Sequence, residues 1–263
     1  MDSTSHLIEK YTALYSPLDV EYAQSMSGPY RDLSVRSHDC EVVAGLKGGE
    51  ITGFWRPVVS AGNPILVRAK MIALASRGDV TYMDFLEGGE LSDASLVLLK
   101  LGYKATPYLT QIIDLTQSIE ALKGGLRKSY KSLVTKGNPR FTHNAYHVYE
   151  MRNRVKDTRS RPVESWKIQN KMCRQGQGFV VYDDDMAVMV YHNKYSAYYA
   201  SAVSRDNANT HHLIWAAILE AKRLGCRMFE MGEQKYDDSI SYFKRGFGGS
   251  THARLILTKE TNG

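Results

Sequence analysis

Residues 213–233 read LIWAAILEAKRLGCRMFEMGE, and after a short connection residues 242–249 read YFKRGFGG. Leu213, Ile214, Ala217, Ile218 and Ala221 recur at helical spacing, which predicts a helix with a broad apolar face. Asn209 or Thr210 can supply its N-cap. Lys222 and Arg223 stand in the last turn, where the helix dipole favours cations, and Gly225 is placed for a left-handed stop. Cys226–Gly232 follows at once and predicts a strand returning into a sheet. Ile240–Gly249, crowded with aromatic, cationic and glycine residues, reads as a sharp turn.

Working outward, three strand-like runs precede the helix: Gly178–Tyr182, Met186–His192 and Ser196–Val203, separated by turns at Asp183–Asp185 and Asn193–Lys194. Further upstream, Glu41–Leu46 and Ile51–Arg56 predict a hairpin through Lys47–Glu50. Ile65–Arg68 reads as a short strand or loop, Lys70–Arg77 as a helix stopped by Gly78, and Val80–Phe85 as a strand. Ser92 and Asp93 can cap a helix over Ala94–Leu101, followed by a strand over Tyr103–Leu115. Ser118 can cap a basic helix from Ile119 to about Thr135. Phe141–Met151 reads as a strand, Val163–Cys173 as a helix and His252–Thr258 as a last strand. A short amphipathic helix ending before Pro17 is expected near the start. Alternation of this kind indicates a mixed α/β fold, a sheet with flanking helices.

The stretches LIWAAILEAKRLGCRMFEMGE and YFKRGFGG resemble the C-terminal core of GNAT-type acyltransferases. More narrowly they resemble the Fem family, which transfers amino acids from aminoacyl-tRNA to peptidoglycan precursors. Leu101–Leu115 resembles the strand that closes the degenerate GNAT-like first half in that family. The resemblance implies a first half over 1–116 and a transferase half over 117–263, with a last strand over 251–259 crossing back to the first half. It implies transfer of an aminoacyl or related acyl group to an amine on a cell-envelope or glycan precursor. It also implies roles for Phe243 and Lys244, which match a Phe-Lys pair lying beside the reacting carbonyl in family members, where a cation can stabilise the developing oxyanion.

The chain has 263 residues, 43% of them hydrophobic and 24% charged, ordinary values for a globular protein. No apolar run approaches the roughly 20 residues a membrane span requires, and Met1–His6 lacks the start of a secretory signal. Cys40, Cys173 and Cys226 are widely spaced and fit no metal-ligand pattern; they read as reduced thiols in a cytoplasmic protein. The net charge of +6 is uneven: 122–174 holds 14 Lys and Arg against 3 Asp and Glu. An anionic partner near mid-chain fits this excess (nucleic acid, a nucleotide-sugar diphosphate or a lipid phosphate), and so does a solvated basic face.

Acetyl-CoA is disfavoured as the donor. The loop before the central helix, Ser204–Thr210, has no glycine to let its backbone cradle a pyrophosphate. No cofactor is implied; the resemblance points to aminoacyl-tRNA as donor. Glu230 and Glu233, at the end of the strand, can act as base or position the amine, and can equally be ion-pair partners for Lys235 or Arg227. Tyr198 can donate a hydrogen bond to an intermediate or simply pack. Arg56, Arg68, Arg127, Lys128, Lys131 and Arg245 are candidates for substrate phosphates. His211 and His212 point about 100° apart on a helix and have no companion ligand, so no metal site is expected. Two other readings stay open: a CoA-dependent N-acetyltransferase of glycan biosynthesis, and a non-catalytic module binding RNA or another anionic ligand.

Overall fold

A computed structural model describes residues 30–36, 40–52, 59–60, 63–86, 89–155, 161–205, 210–236 and 238–259, with a few single positions between 21 and 28. The expected helix before Pro17 and the strand end at Arg56 lie outside the described residues. The chain divides into two compact units, Asp19–Leu109 with Ala253–Gly263, and Thr110–His252.

The first unit begins with short strands: β1 (Arg31–Asp32), β2 (Val35–Arg36), β3 (Cys40–Val42), β4 (Gly45–Lys47), β5 (Glu50–Thr52) and β6 (Val59–Ser60). Helix α1 (Pro64–Ala75), strand β7 (Asp79–Asp84) and helix α2 (Asp93–Lys100) follow. β4 and β5 form the expected hairpin, turning through Gly48 and Gly49, both at positive φ as a tight two-residue turn requires. The expected single strand over 41–46 is instead two, because β3 pairs with β2 and β6 in a separate small sheet. Ile65–Arg68 is neither strand nor loop but the first turn of α1. Asn63 accepts from the Leu66 amide and Pro64 occupies the first helical position, where its missing N–H costs nothing. Val67, Met71 and Leu74 of α1 pack with Ile51, Val80, Ala94 and Leu98 in one core.

The second unit is built on β8 (Lys104–Asp114), helices α3 (Ile119–Gly125) and α4 (Tyr130–Leu133), β9 (Arg140–Thr142), α5 (Tyr146–Val155) and α6 (Val163–Arg174). Then come β10 (Gly178–Tyr182), β11 (Met186–His192), β12 (Ser196–Ser204), α7 (His211–Arg223), β13 (Met228–Glu233) and α8 (Ser239–Arg245). From Thr110 of β8 onward the strand order is β8-β13-β12-β11-β10-β9. β12 and β13 are parallel, as their connection through α7 allows. Leu213, Ile214, Ala217, Ile218 and Ala221 of α7 are fully buried against Val188, Val190, Phe229 and Met231. The helix ends as its sequence predicts: Gly225 has φ +87° and the Cys226 amide reaches back to the Ala221 carbonyl at 3.1 Å, the Schellman arrangement. A last strand, β14 (Ser250–Thr258), returns from Ala253 onward to the first unit, where Leu255–Leu257 pair with Tyr82–Asp84.

Three expectations are corrected here. The basic helix over 119–135 breaks after Gly125. Leu126 is extended (ψ 141°), and the Arg127 amide bonds the Gly246 carbonyl at 2.9 Å instead of continuing the helix. The strand over 141–151 stops at Thr142 and gives way to α5; Ala145, just before the helix, and Val148 within it are both fully buried, three residues apart as a helix face requires. The turn over 240–249 is a helix as far as Arg245, capped by the Asp238 carboxylate, which accepts from the amides of Ile240 and Ser241.

The cysteines are free and buried. Burial alone pushes the Cys173 thiol up to about 12, and the Cys226 thiol, despite a backbone hydrogen bond, up to about 11.

Gly249 tests the packing under α8. It has φ +84°, and a Cβ there would lie 2.3 Å from the Ile112 carbonyl oxygen. Gly176 has φ +73° but open space around it. Gly249→Ala is expected to cost about 2–4 kcal/mol, backbone strain plus overpacking, and Gly176→Ala only the strain, about 1 kcal/mol. Urea unfolding of the two variants measures the difference.

Candidate active site

The parallel pairing of β12 and β13 covers three residue pairs and ends at Tyr198↔Glu230. β12 runs on to Ser204 and β13 to Glu233 without further pairing between them. Each strand also carries an irregularity close to that point. β12 shifts register against β11 between Met189 and Val190, and β13 shifts against β8 between Glu230 and Gly232. Gly232 takes φ +78°, the left-handed conformation such bulges call for. The two strands thus part at the carboxyl end of β13, with a glycine at the fork.

Lys244 is brought to this fork by α8. Its half-buried side chain donates from Nζ to the Glu233 carbonyl at 3.2 Å. A Cβ built on Gly232 would lie 3.2 Å from the Tyr198 hydroxyl and 3.7 Å from Lys244 Nζ. An ammonium and a phenol therefore converge on the space that a side chain at 232 would fill. Burial pulls the Lys244 ammonium below the usual lysine range, with Asp238, Glu233 and Glu230 opposing the shift through their charges.

The two carboxylates differ. Glu230 is 2% exposed and accepts from the Thr110 hydroxyl at 2.9 Å. Glu233 is half-exposed and pairs with Lys235 at 3.4 Å, one of the pairings weighed from sequence. Beside Thr110, buried Gln111 donates from Nε2 to the carbonyls of Lys244 and Gly248, pinning the end of α8 to β8. Sequence reasoning overlooked Thr110 and Gln111. The available signal is two adjacent polar residues inside the run Tyr108–Ile113, where an internal strand wants apolar ones.

Phe243 faces the core. Its ring meets His211 at 5.0 Å and Phe247 at 5.4 Å, and Tyr130 joins the cluster, donating from its hydroxyl to the Phe243 carbonyl at 3.1 Å. Burial, then the neighbouring Arg127 and His212, holds His211 below the usual histidine range. Arg127 stacks its guanidinium 3.7 Å from the Tyr242 ring centre and donates to the Tyr242 carbonyl at 2.8 Å. Lys128, Lys131 and Arg245 are exposed and form no ion pair among the described residues. Arg68 belongs to the first unit, where it ties α1 to α2 through Asp93 at 2.7 Å. Arg56 lies outside the described residues, as do 206–209 of the glycine-free loop. Among the described residues no group of three or more His, Cys, Asp or Glu is placed to hold a metal ion, and no helix is long and apolar enough to cross a membrane.

No protein-family profile and no curated protein sequence matches the chain. Solved structures do. FemX superposes with a TM-score of 0.67 at 12% identity, over 97% of this chain and 96% of its own. The C-terminal domain of a chain assigned as a lysylphosphatidylglycerol synthetase, from Agrobacterium fabrum, gives 0.61 at 14%, over 98% and 93%. A tandem GNAT protein from the clavulanic acid biosynthesis pathway gives 0.54 at 14%, over 98% and 91%. The fold is GNAT-type. In this GNAT-type chain the fork between β12 and β13 and the lysine beside it form the candidate active site.

Lys244 makes a stability prediction of its own. With its folded pKa depressed, the buried ammonium weakens the fold below that pKa, and the penalty lifts as pH rises toward the unfolded lysine value near 10.4. Lys244→Met should therefore melt no lower than the parent at pH 7. The difference between the two proteins should shrink in melts run toward pH 10.

Proposed function

We propose that this chain is an acyltransferase that joins an aminoacyl or related acyl group to an amine by direct aminolysis. The observation carrying this reading is the convergence of Lys244 Nζ and the Tyr198 hydroxyl on the space above Gly232. Both are donors in a partly desolvated place, where they stabilise developing negative charge better than in water. The acceptor nitrogen attacks the donor's ester carbonyl, and the carbonyl π pair moves onto oxygen. Lys244 and Tyr198 hold that oxyanion. Collapse re-forms the carbonyl, breaks the ester C–O bond and releases the carrier's hydroxyl. The amine's proton passes to a carboxylate, Glu230 or Glu233, and from there to the leaving oxygen or to water. No covalent enzyme intermediate is needed.

The donor in this reading is an aminoacyl ester such as aminoacyl-tRNA. A fold neighbour assigned to lysylphosphatidylglycerol synthesis supports an aminoacyl group. Exposed Lys123, Lys128, Lys131 and Arg245, uncommitted to ion pairs among the described residues, offer contacts for the phosphates of the carrier or of a nucleotide-sugar acceptor. The acceptor class is an amine on a cell-envelope or glycan precursor.

The test is amide formation, followed by mass spectrometry, with aminoacyl-tRNA or acetyl-CoA as donor and a nucleotide-linked sugar peptide as amine acceptor. Transfer from aminoacyl-tRNA is expected, with kcat falling about 10²–10³-fold in Lys244→Met and KM little changed. Wild-type turnover by Lys244→Met, or no amide from either donor, would overturn the reading. Transfer from acetyl-CoA alone would replace the donor.

A further inference from the structure

A second polar constellation lies on the face of β12 turned away from α7, the face that also carries Tyr198. Arg152 of α5 reaches the Ser201 hydroxyl at 3.2 Å, its single hydrogen-bond partner among the described residues, and it forms no ion pair there. Its Nε is buried and unbonded. Trp166 of α6 is fully buried, and its indole Nε1 likewise has no partner among the described residues. The Trp166 ring packs 5.9 Å from Tyr149, which stands one helical turn before Arg152 on the same face of α5. The Arg161 guanidinium lies 5.9 Å from the same indole and donates to Gln169 Oε1, which also accepts from the Tyr191 hydroxyl at 2.7 Å.

This arrangement goes against two general rules. Buried donors are nearly always bonded, and partly buried guanidinium groups nearly always meet a carboxylate. Here two arginines are close enough for Arg161 to add to the burial that lowers Arg152's proton affinity. A hydroxyl, an unbonded Nε–H and an unbonded indole N–H lie in the same neighbourhood. The Arg152 guanidinium, the Ser201 hydroxyl and the Trp166 N–H can all donate, and among the described residues no carboxylate pairs with Arg152. A planar guanidinium edge with a hydroxyl beside it matches a small oxyanion group.

We propose that Arg152, Ser201 and Trp166, with Arg161 beside them, seat one oxyanion group of a ligand, a carboxylate or a phosphate monoester. The seat stands on its own geometry, whatever Lys244 does. Its position adds a consequence that rests on the acyl-transfer reading. Tyr198 pairs with Tyr191 and Ser201 with Met189, two residues apart on β11, so the two side chains share a face of the sheet. Across the bulge they are roughly 7 Å apart along the strand, two residue rises of the partner strand. A ligand anchored by its anionic end at Arg152 can then present its other end at Tyr198 and the fork.

The test uses the whole chain and two probes, inorganic phosphate and succinate, each against sodium chloride at matched ionic strength. One of them should raise Tm by a few degrees near saturation, by mass action on the folded state, and change the tryptophan emission. Arg152→Met should lose the Tm response. Trp166→Phe should lose the emission response while Trp55 and Trp215 still fluoresce. Which probe acts separates the phosphate from the carboxylate source. No response of the parent protein to either probe, or a full response retained by Arg152→Met, would overturn the seat. Anion binding without amide transfer in the turnover assay would leave the seat standing and remove only its link to the fork.

Discussion

The second unit depends on a parallel strand pair that is allowed to fail. β12 and β13 share three residue pairs and then separate, although both strands run on beyond the last pair. Separation of two internal strands exposes backbone donors and acceptors, which is costly unless something else takes them. The molecule contains that cost with local devices. Each strand carries a bulge near the point of parting, Gly232 adopts a conformation most residues avoid, and α8 brings a lysine whose ammonium takes the Glu233 carbonyl. Those devices also determine which groups stand at the gap.

Holding an ammonium there is a compromise between stability and reactivity. Desolvation disfavours the charge, while Asp238, Glu233 and Glu230 favour it, and the net effect is a lysine whose proton is held less firmly than usual. Its position is nevertheless well fixed. Asp238 caps the start of α8, Gln111 grips the carbonyls at its end, and Gly249 lies so close to Ile112 that no side chain fits between them. A fixed, poorly solvated cation is expensive for a fold and useful for stabilising a transient charge.

Much of this was legible in the sequence, for identifiable reasons. The meander over 178–204 and the helix over 211–223 have strong periodicity, clear turns and a glycine stop, and they form as read. The losses came where a local cue was outvoted. Gly124-Gly125 breaks a helix that its charge pattern extends, and the aromatics over 141–151 imitate alternation although Ala145 and Val148 carry a helical period. Asn63-Pro64 and Asp238 are start signals that simply went unread. At the site, Lys244 is visible through a family resemblance. Thr110, Gln111 and the approach of Tyr198 to Gly232 depend on strands brought together from more than thirty residues apart, and no local pattern announces them.

The three cysteines carry a practical consequence. Thiol-directed reagents attack the thiolate, and at pH 8 a thiol titrating near 11 or 12 is ionised to about one part in a thousand or less. Steric enclosure lowers the rate further for all three. The natural chain thus offers alkylating dyes almost no background. A single cysteine placed on an exposed surface, for example in place of Lys128, would be the fast-reacting position, and a fluorophore or spin label could be attached there with no need to remove the native thiols first.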